Sequence, residues 1–280
     1  MAFDTRQILF LQRLVEGLPT QRAAGVVAKH FSEHFSLGQH VGRFIEYRSE
    51  HHRMALSLLQ AHDLPVNKPS ARALRADSAK FGGLSEKSLS AAPHSGSIAI
   101  KCLGNCLLDS TPLVTPPSSY LVVTPEIGQH ITCDRLMLIE NLETFRHLEQ
   151  YTWIDFSNKS VMVIYRGDTD LSTGDVALFL QTRSEPIWAF VDFDPAGLVI
   201  ANSLPSGTLE RLILPAWSLL RLLADTPRGR QLFDEQYSYA QGALNRTEHP
   251  LLKNAWEVLL ELRSGVTQER MMHAVPKSNI

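Results

Sequence analysis

Residues 190–198 read FVDFDPAGL. An apolar run that starts at Ile187 ends in Asp192 and Asp194, and a Pro-Ala-Gly turn follows at once. In an extended backbone, residues two apart point to the same side, so both carboxylates face one way. Two like charges that close are unfavourable unless something neutralises them. A divalent cation does so directly, because hard Mg²⁺ takes carboxylate oxygens and keeps positions for a phosphate ligand. Two such ions stabilise both the attacking and the leaving oxygen of an in-line phosphoryl displacement. The same letters also read as a helix start, with Asp194 as the cap and Pro195 in the first turn.

Around this stretch the pattern alternates. LMLIE (136–140) reads as a strand, 142–150 as a short helix, and VMVIY (161–165) as a second strand. A helix over 172–183 opens at Ser172 or Thr173, IWAFVDF (187–193) is a third strand, 195–203 a helix, and LERLIL (209–214) a fourth strand. Strands alternating with helices over short connections predict an α/β fold, a parallel sheet flanked by crossover helices. The tail from about 216 reads as helical, through 217–223, 251–262 and 266–273. Ligands of such sheets gather outside the carboxyl ends of the strands. Three acidic groups stand there: Glu140, Asp168 with Asp170, and Asp192 with Asp194. The Asp168–Asp170 loop reads as solvated rather than as part of the group.

Upstream, residues 1–63 predict a mainly helical unit. Asp4 caps a helix through Val15, Thr20 opens a second through Phe31, and a third runs from about Gln39 to His62. Three helices on short turns fit a winged-helix-like unit or a plain helical bundle. Residues 64–130 read as a linker rich in Pro, Ser, Ala and Lys, followed by a small β-containing region with strands at 97–103 and 119–124. Residues 131–280 are then the α/β domain with its helical tail. Lys80, Lys87 and Lys101 are candidate phosphate contacts, or members of a solvated loop. Tyr47, beside Arg48, is either a nucleophile for phosphoryl transfer or a ring packed against a neighbouring helix.

Composition sets broad limits. The 280 residues are 44% hydrophobic and 20% charged, as in an ordinary soluble protein. The net charge is −2, divided unevenly: residues 1–130 carry 13 Lys/Arg against 10 Asp/Glu, and residues 131–280 carry 14 against 19. That division suits a DNA-contacting arm joined to a metal-binding core, and also suits ordinary scatter. Three cysteines are too few for a disulfide framework and fit a reducing compartment. The N-terminus lacks a signal-peptide shape, and no apolar run approaches the roughly 18 residues a bilayer span needs. The expectation is a cytoplasmic protein that does not engage a membrane.

The series IENLETF (139–145), VIYRGD (163–168) and FVDFDPAGLVIA (190–201) resembles a Toprim domain. That family places a Glu after its first strand, a Gly after its second and Asp-x-Asp after its third. Carried across, Glu140 is the motif glutamate, Gly167 the glycine turn, and Asp192 and Asp194 the metal-binding pair. Glu140-Asn141 with Phe145, and Asp192-x-Asp194-x-x-Gly197, are similar to the C-terminal domain of JetD-type proteins. These are nuclease subunits of Wadjet anti-plasmid systems and relatives of the DNA-cleaving chain of topoisomerase VI. VTQERMM (266–272) resembles a Gln-Glu-Arg segment near the end of those proteins, which implies Glu269 as a further metal-site acid. The resemblance covers roughly residues 134–275.

It implies a homodimeric, Mg²⁺- or Mn²⁺-dependent endonuclease that hydrolyses double-stranded plasmid DNA. It also implies partners: an SMC-like ATPase, a kleisin and a small winged-helix subunit. Glu140, Asp192 and Asp194 would be catalytic and metal-binding, with Glu140 either a ligand or a general base. JetD-type proteins usually carry a longer N-terminal arm than the about 130 residues here, so a compact variant is expected. Two other expectations stand beside it. One is a non-catalytic Toprim-fold subunit for docking or dimerisation in an SMC-like complex. The other is a DNA transesterase like topoisomerase VI, using Tyr47.

Overall fold

The computed structural model describes residues 3–67, 94, 96–156, 158–272 and 274. Contacts divide the chain into two units, 1–93 and 94–280. The first holds helix α1 (Thr5–Gly17), strand β1 (Gln21–Ala23), helix α2 (Val26–Phe35), strands β2 (Gln39–Val41) and β3 (Phe44–Glu46), and helix α3 (Ser49–Ala61). Asp4 closes a capping box with Gln7 at the start of α1, as its sequence position predicts. The three strands form an antiparallel sheet in the order β1-β3-β2. Ile8, Leu11, Phe31, Ile45 and Leu59 pack the core between sheet and helices.

Two expectations change in this unit. The segment from Thr20 opens as a strand, and the third helix starts only at Ser49, because 39–46 is a hairpin. The chain turns at Gly42, whose φ of +60 suits glycine, and Ile45 is buried between exposed Phe44 and Glu46, the alternation of a half-buried strand. Tyr47 is only 4% exposed, its hydroxyl has no hydrogen-bond partner among the described residues, and burial pushes its phenol up to about 12 against the opposing pull of Arg22. A buried phenol that resists ionisation is a poor nucleophile, and Tyr47 packs in the core of this unit, which counts against the transesterase reading.

The second unit is built on one six-stranded sheet. Its strands are β4 (Ile98–Leu103), β7 (Leu121–Val123), β9 (Arg135–Ile139), β10 (Val161–Tyr165), β11 (Ile187–Phe190) and β12 (Leu209–Leu212), in the order β12-β11-β9-β10-β4-β7. Short strands β5 (Leu107–Leu108), β6 (Thr111–Pro112) and β8 (Ile131–Thr132) form a separate small sheet. The helices are α4 (Pro125–Gln129), α5 (Leu142–Arg146), α6 (Thr173–Gln181), α7 (Pro195–Asn202), α8 (Trp217–Ala224), α9 (Pro227–Leu244), α10 (Pro250–Leu262) and α11 (Gln268–Met271).

Strands β9 to β12 run parallel, joined by α5, α6 and α7, as the alternating pattern predicts. VMVIY is buried at every position, the mark of a parallel strand covered on both faces. Strand β4 adds antiparallel to β10, and β7 antiparallel to β4, so the sheet is mixed. Of the region 64–130, expected as a linker and small β-containing region, β4 and β7 thus belong to this sheet, and residues from 94 onward belong to the second unit. Lys101, expected at a phosphate, points inward from β4. It is 1% exposed, and its Nζ donates to Arg146 O at 2.7 Å and to Glu149 Oε2 at 3.0 Å. Burial would raise the Glu149 carboxyl, but hydrogen bonds from its own amide, Lys101 and Ser118 outweigh it and hold the group down at about 2. Lys80 and Lys87 lie outside the described residues. Among the described residues no helix is long and apolar enough to cross a membrane.

The winding reverses at one place. The chain passes from β9 to β10 on one side, then returns to β11 on the other side of β9 and continues to β12. The carboxyl ends of β9 and β11 thus flank a topological switch point, where sheets of this kind bind ligands. Gly197, in the first turn of α7, makes that edge tight: a Cβ there would lie 2.1 Å from Asp192 O. Gly197→Ala is therefore expected to destabilise the chain by about 1–3 kcal/mol. Gly242→Ala, in α9 with nothing within 4 Å, is expected to stabilise it by about 0.5–1 kcal/mol. Urea denaturation of both variants measures the contrast, and a stabilised Gly197→Ala would contradict the packing.

Candidate functional site

Glu140 follows the last residue of β9, and Asp192 and Asp194 follow the last of β11, so the parallel ladder brings the three acids to one edge. Past Phe190 the chain leaves β11. Asp192 N donates to Glu140 Oε2 at 3.1 Å. Phe193 forms an antiparallel bridge with Val266, with N···O distances of 2.8 and 2.9 Å in the two directions. Asp194 then caps α7: its Oδ1 accepts from Gly197 N at 2.8 Å and its Oδ2 from Gln236 Nε2 at 3.0 Å. The cap expected from Asp-Pro is present, and it uses one lone pair on each oxygen of a residue that is 3% exposed.

The bridge to Val266 carries in a residue that sequence reasoning passes over. Gln268 is fully buried. Its backbone N donates to Asp192 Oδ1 at 2.7 Å, its Nε2 donates to Phe190 O at 2.8 Å, and its Oε1 accepts from Asn141 N at 2.9 Å. Asn141 caps α5 through Oδ1 and donates from Nδ2 to Glu269 Oε1 at 2.6 Å. Glu269 itself is exposed, and its charge is felt at both Glu140 and Asp192. Gln236 is the second residue missed, and it reaches Asp194 from the middle of α9.

Asp168 and Asp170 stay apart from this group. Asp168 closes its own turn, accepting from Asp170 N at 2.7 Å and Leu171 N at 3.0 Å, and those bonds hold its carboxyl below the usual range. Both residues are exposed, as the solvated reading expects. Gly167 permits the turn, with φ of +99 and Leu171 O 2.3 Å from where a Cβ would sit.

The acids are in electrostatic tension. Burial raises the Glu140 carboxyl; the bond from Asp192 N and the charge of Arg166 oppose it, while Asp194 and Glu269 push it higher. Burial and then Glu140 raise Asp192 to about 8, with the bond from Gln268 N opposing. Burial also raises Asp194, against its hydrogen bonds from Gly197 and Gln236. Among the described residues none of the four acids makes an ion pair, and no three His, Cys, Asp or Glu side chains already stand close enough to share one ion. The donor chemistry of Glu140, Asp192 and Asp194, hard oxygens with raised pKa and no cationic neighbour in bonding contact, fits a divalent cation. Their present arrangement is that of a hydrogen-bonded cap and strand end.

The tension has a measurable consequence in metal-free protein. A carboxyl near 8 when folded and about 3.9 when unfolded keeps a proton on the folded chain that the unfolded chain has released. Stability therefore falls as pH rises between those values. Asp192→Asn removes this loss while keeping an Oδ1 acceptor for Gln268 N. Its Tm is expected to exceed that of the wild type at pH 8, and the difference is expected to shrink toward pH 5. A difference that does not change with pH would mean that Asp192 is ionised in the folded chain.

Comparison with known proteins adds one family. Residues 95–276 match the family described as a domain of unknown function, DUF7281. No curated protein matches the chain. The match takes in the six-stranded sheet, the switch point, both Asp192 and Asp194, and the Gln268–Glu269 segment. It covers more than half of the 280 residues, and the chain belongs to the DUF7281 family.

Proposed function

We propose that this chain is a Toprim-type, Mg²⁺- or Mn²⁺-dependent DNA endonuclease that hydrolyses phosphodiester bonds in plasmid DNA. It would act as a homodimer with an SMC-like ATPase, a kleisin and a small winged-helix subunit. The observation that carries the reading is the set of three raised-pKa carboxylates at the switch point of a parallel sheet. A scaffold has no evident use for acids that oppose one another there, whereas a divalent cation bound among them would offset their charge. The strand order β12-β11-β9-β10, with a Glu after the first parallel strand and Asp-x-Asp after the third, supports it. So does the first unit, whose order of helix, strand, helix, hairpin and helix is compatible with a winged-helix-like unit.

In this mechanism Asp192 and Asp194 would hold the metal, and Glu140 would either join them or handle a proton. Bound Mg²⁺ or Mn²⁺ would supply positive charge against the carboxylates and against a phosphodiester in its transition state. Glu140 Oε2 accepts from Asp192 N, which orients the carboxyl and leaves Oε1 without a hydrogen bond among the described residues. That oxygen is placed to take a proton from an attacking water. Asn141 and Gln268 orient Glu269 and Asp192.

A second reading, a non-catalytic docking or dimerisation subunit, draws on the Asp194 cap, in which both oxygens are already engaged. Nicking of supercoiled plasmid in Mn²⁺ separates the two. The wild type is expected to nick, and Asp192→Asn and Glu140→Gln to lose about 100-fold or more. Saturating Mn²⁺ is expected to raise the wild-type Tm, by about 2.7 kcal/mol of stability at 100 times Kd, and to leave Asp192→Asn nearly unmoved. A wild type that neither nicks nor gains stability would favour the docking role.

A further inference from the structure

We infer that Arg166 is a phosphate-binding residue of this site, gripping a DNA phosphate beside Glu140 with its guanidinium. The assignment deepens the nuclease reading and rests on it only for the claim that the gripped phosphate is the one cleaved.

The ladder fixes the position. Tyr165 and Ile139 are the last paired residues of β10 and β9, and Arg166 N donates to Ile139 O at 2.8 Å, one bond further on. Arg166 and Glu140 thus leave adjacent parallel strands at the same level. Leu138 and Ile164, two residues earlier on each strand, are buried in the same cluster on one face of the sheet. Alternation sends Glu140 and Arg166 out from that face together. The charge of Arg166 is felt at Glu140, yet the two make no ion pair.

The guanidinium is otherwise unused. Arg135, Arg183 and Arg211 are bonded to Glu210, Glu185 and Asp155 O respectively. Arg166 is half-buried and, among the described residues, its side chain has no hydrogen bond or ion pair. It lines an open cavity of about 310 Å³ with Leu138, Thr173, Gly174, Ile200 and Ser203. That cavity runs between α6 and α7, reaching Gln181 at the end of α6 and Pro205 beyond α7, and Arg166 stands in its wall just past the end of β10. An unpaired guanidinium in its wall presents a planar fork that matches two phosphate oxygens. The surrounding carboxylates repel DNA, so a fixed positive group at their rim is what an approaching phosphate requires.

The test uses the full chain and a fluorescein-labelled 20-base-pair duplex in Ca²⁺, read by anisotropy across a salt series, beside plasmid nicking in Mn²⁺. Arg166→Ala is expected to bind the duplex roughly tenfold more weakly. The slope of log affinity against log salt is expected to fall by about 0.9, the value for one lost phosphate contact. Arg166→Lys should restore the slope and only part of the affinity, since a point charge replaces a fork. A purely structural arginine would change Tm without changing that slope. Unchanged affinity and slope in Arg166→Ala, or no duplex binding by the wild type, would overturn the assignment whether or not plasmid is nicked. A lost slope in a protein that never nicks keeps the assignment and removes the nuclease reading, and a lost slope with slower nicking supports both.

Discussion

One buried amide holds the carboxyl edge of the sheet together. Gln268 bonds to Phe190 at the end of β11, to Asp192 two residues further on and to Asn141 at the start of α5, so it ties its own segment to two others. A buried polar group costs little while bonded and about 1–3 kcal/mol when a partner is lost. Three segments therefore share one geometric constraint. The positions of Glu140, Asp192 and Glu269 follow from it, because the first two sit one or two residues beyond bonded strand ends and the third is next in chain to Gln268 itself.

The same edge shows how one residue meets opposing physical demands. Asp194 caps α7, and the cap keeps it in place although it is buried and close to other acids. Each carboxylate oxygen has more than one lone pair, so accepting from Gly197 and Gln236 fixes the group without exhausting it. Hydrogen bonds to the charged form work against burial and against neighbouring charge. Upward pressure wins at all three inner acids, most clearly at Asp192. The fold thus pays for order at this edge with unfavourable charge.

How much of this is legible in the sequence depends on whether the signal is local. The parallel strands, the Ser172, Asp194 and Asp4 caps and the crossover helices are written in runs of a few residues, and their period or cap chemistry reveals them. The hairpin at 39–46 reads as helix because each strand is three residues long, too short for alternation to outweigh a helical neighbour. Lys101 resembles a surface cation until its partner Glu149, 48 positions away, turns it inward. Gln236 and Gln268 reach their aspartates across 42 and 76 positions, and no local pattern announces such contacts. For Gln268 the clue is its place beside Glu269 in the VTQERMM segment; for Gln236 there is none.

The strand-like bridge between Phe193 and Val266 has a temporal meaning. Synthesis delivers Glu140, Asp192 and Asp194 well before Val266, Gln268 and Glu269. While the chain is still emerging, the acids exist as letters without the clamp that arranges them. The edge is assembled only when the helices after Val266 arrive, so an interrupted chain carries the acids without their arrangement.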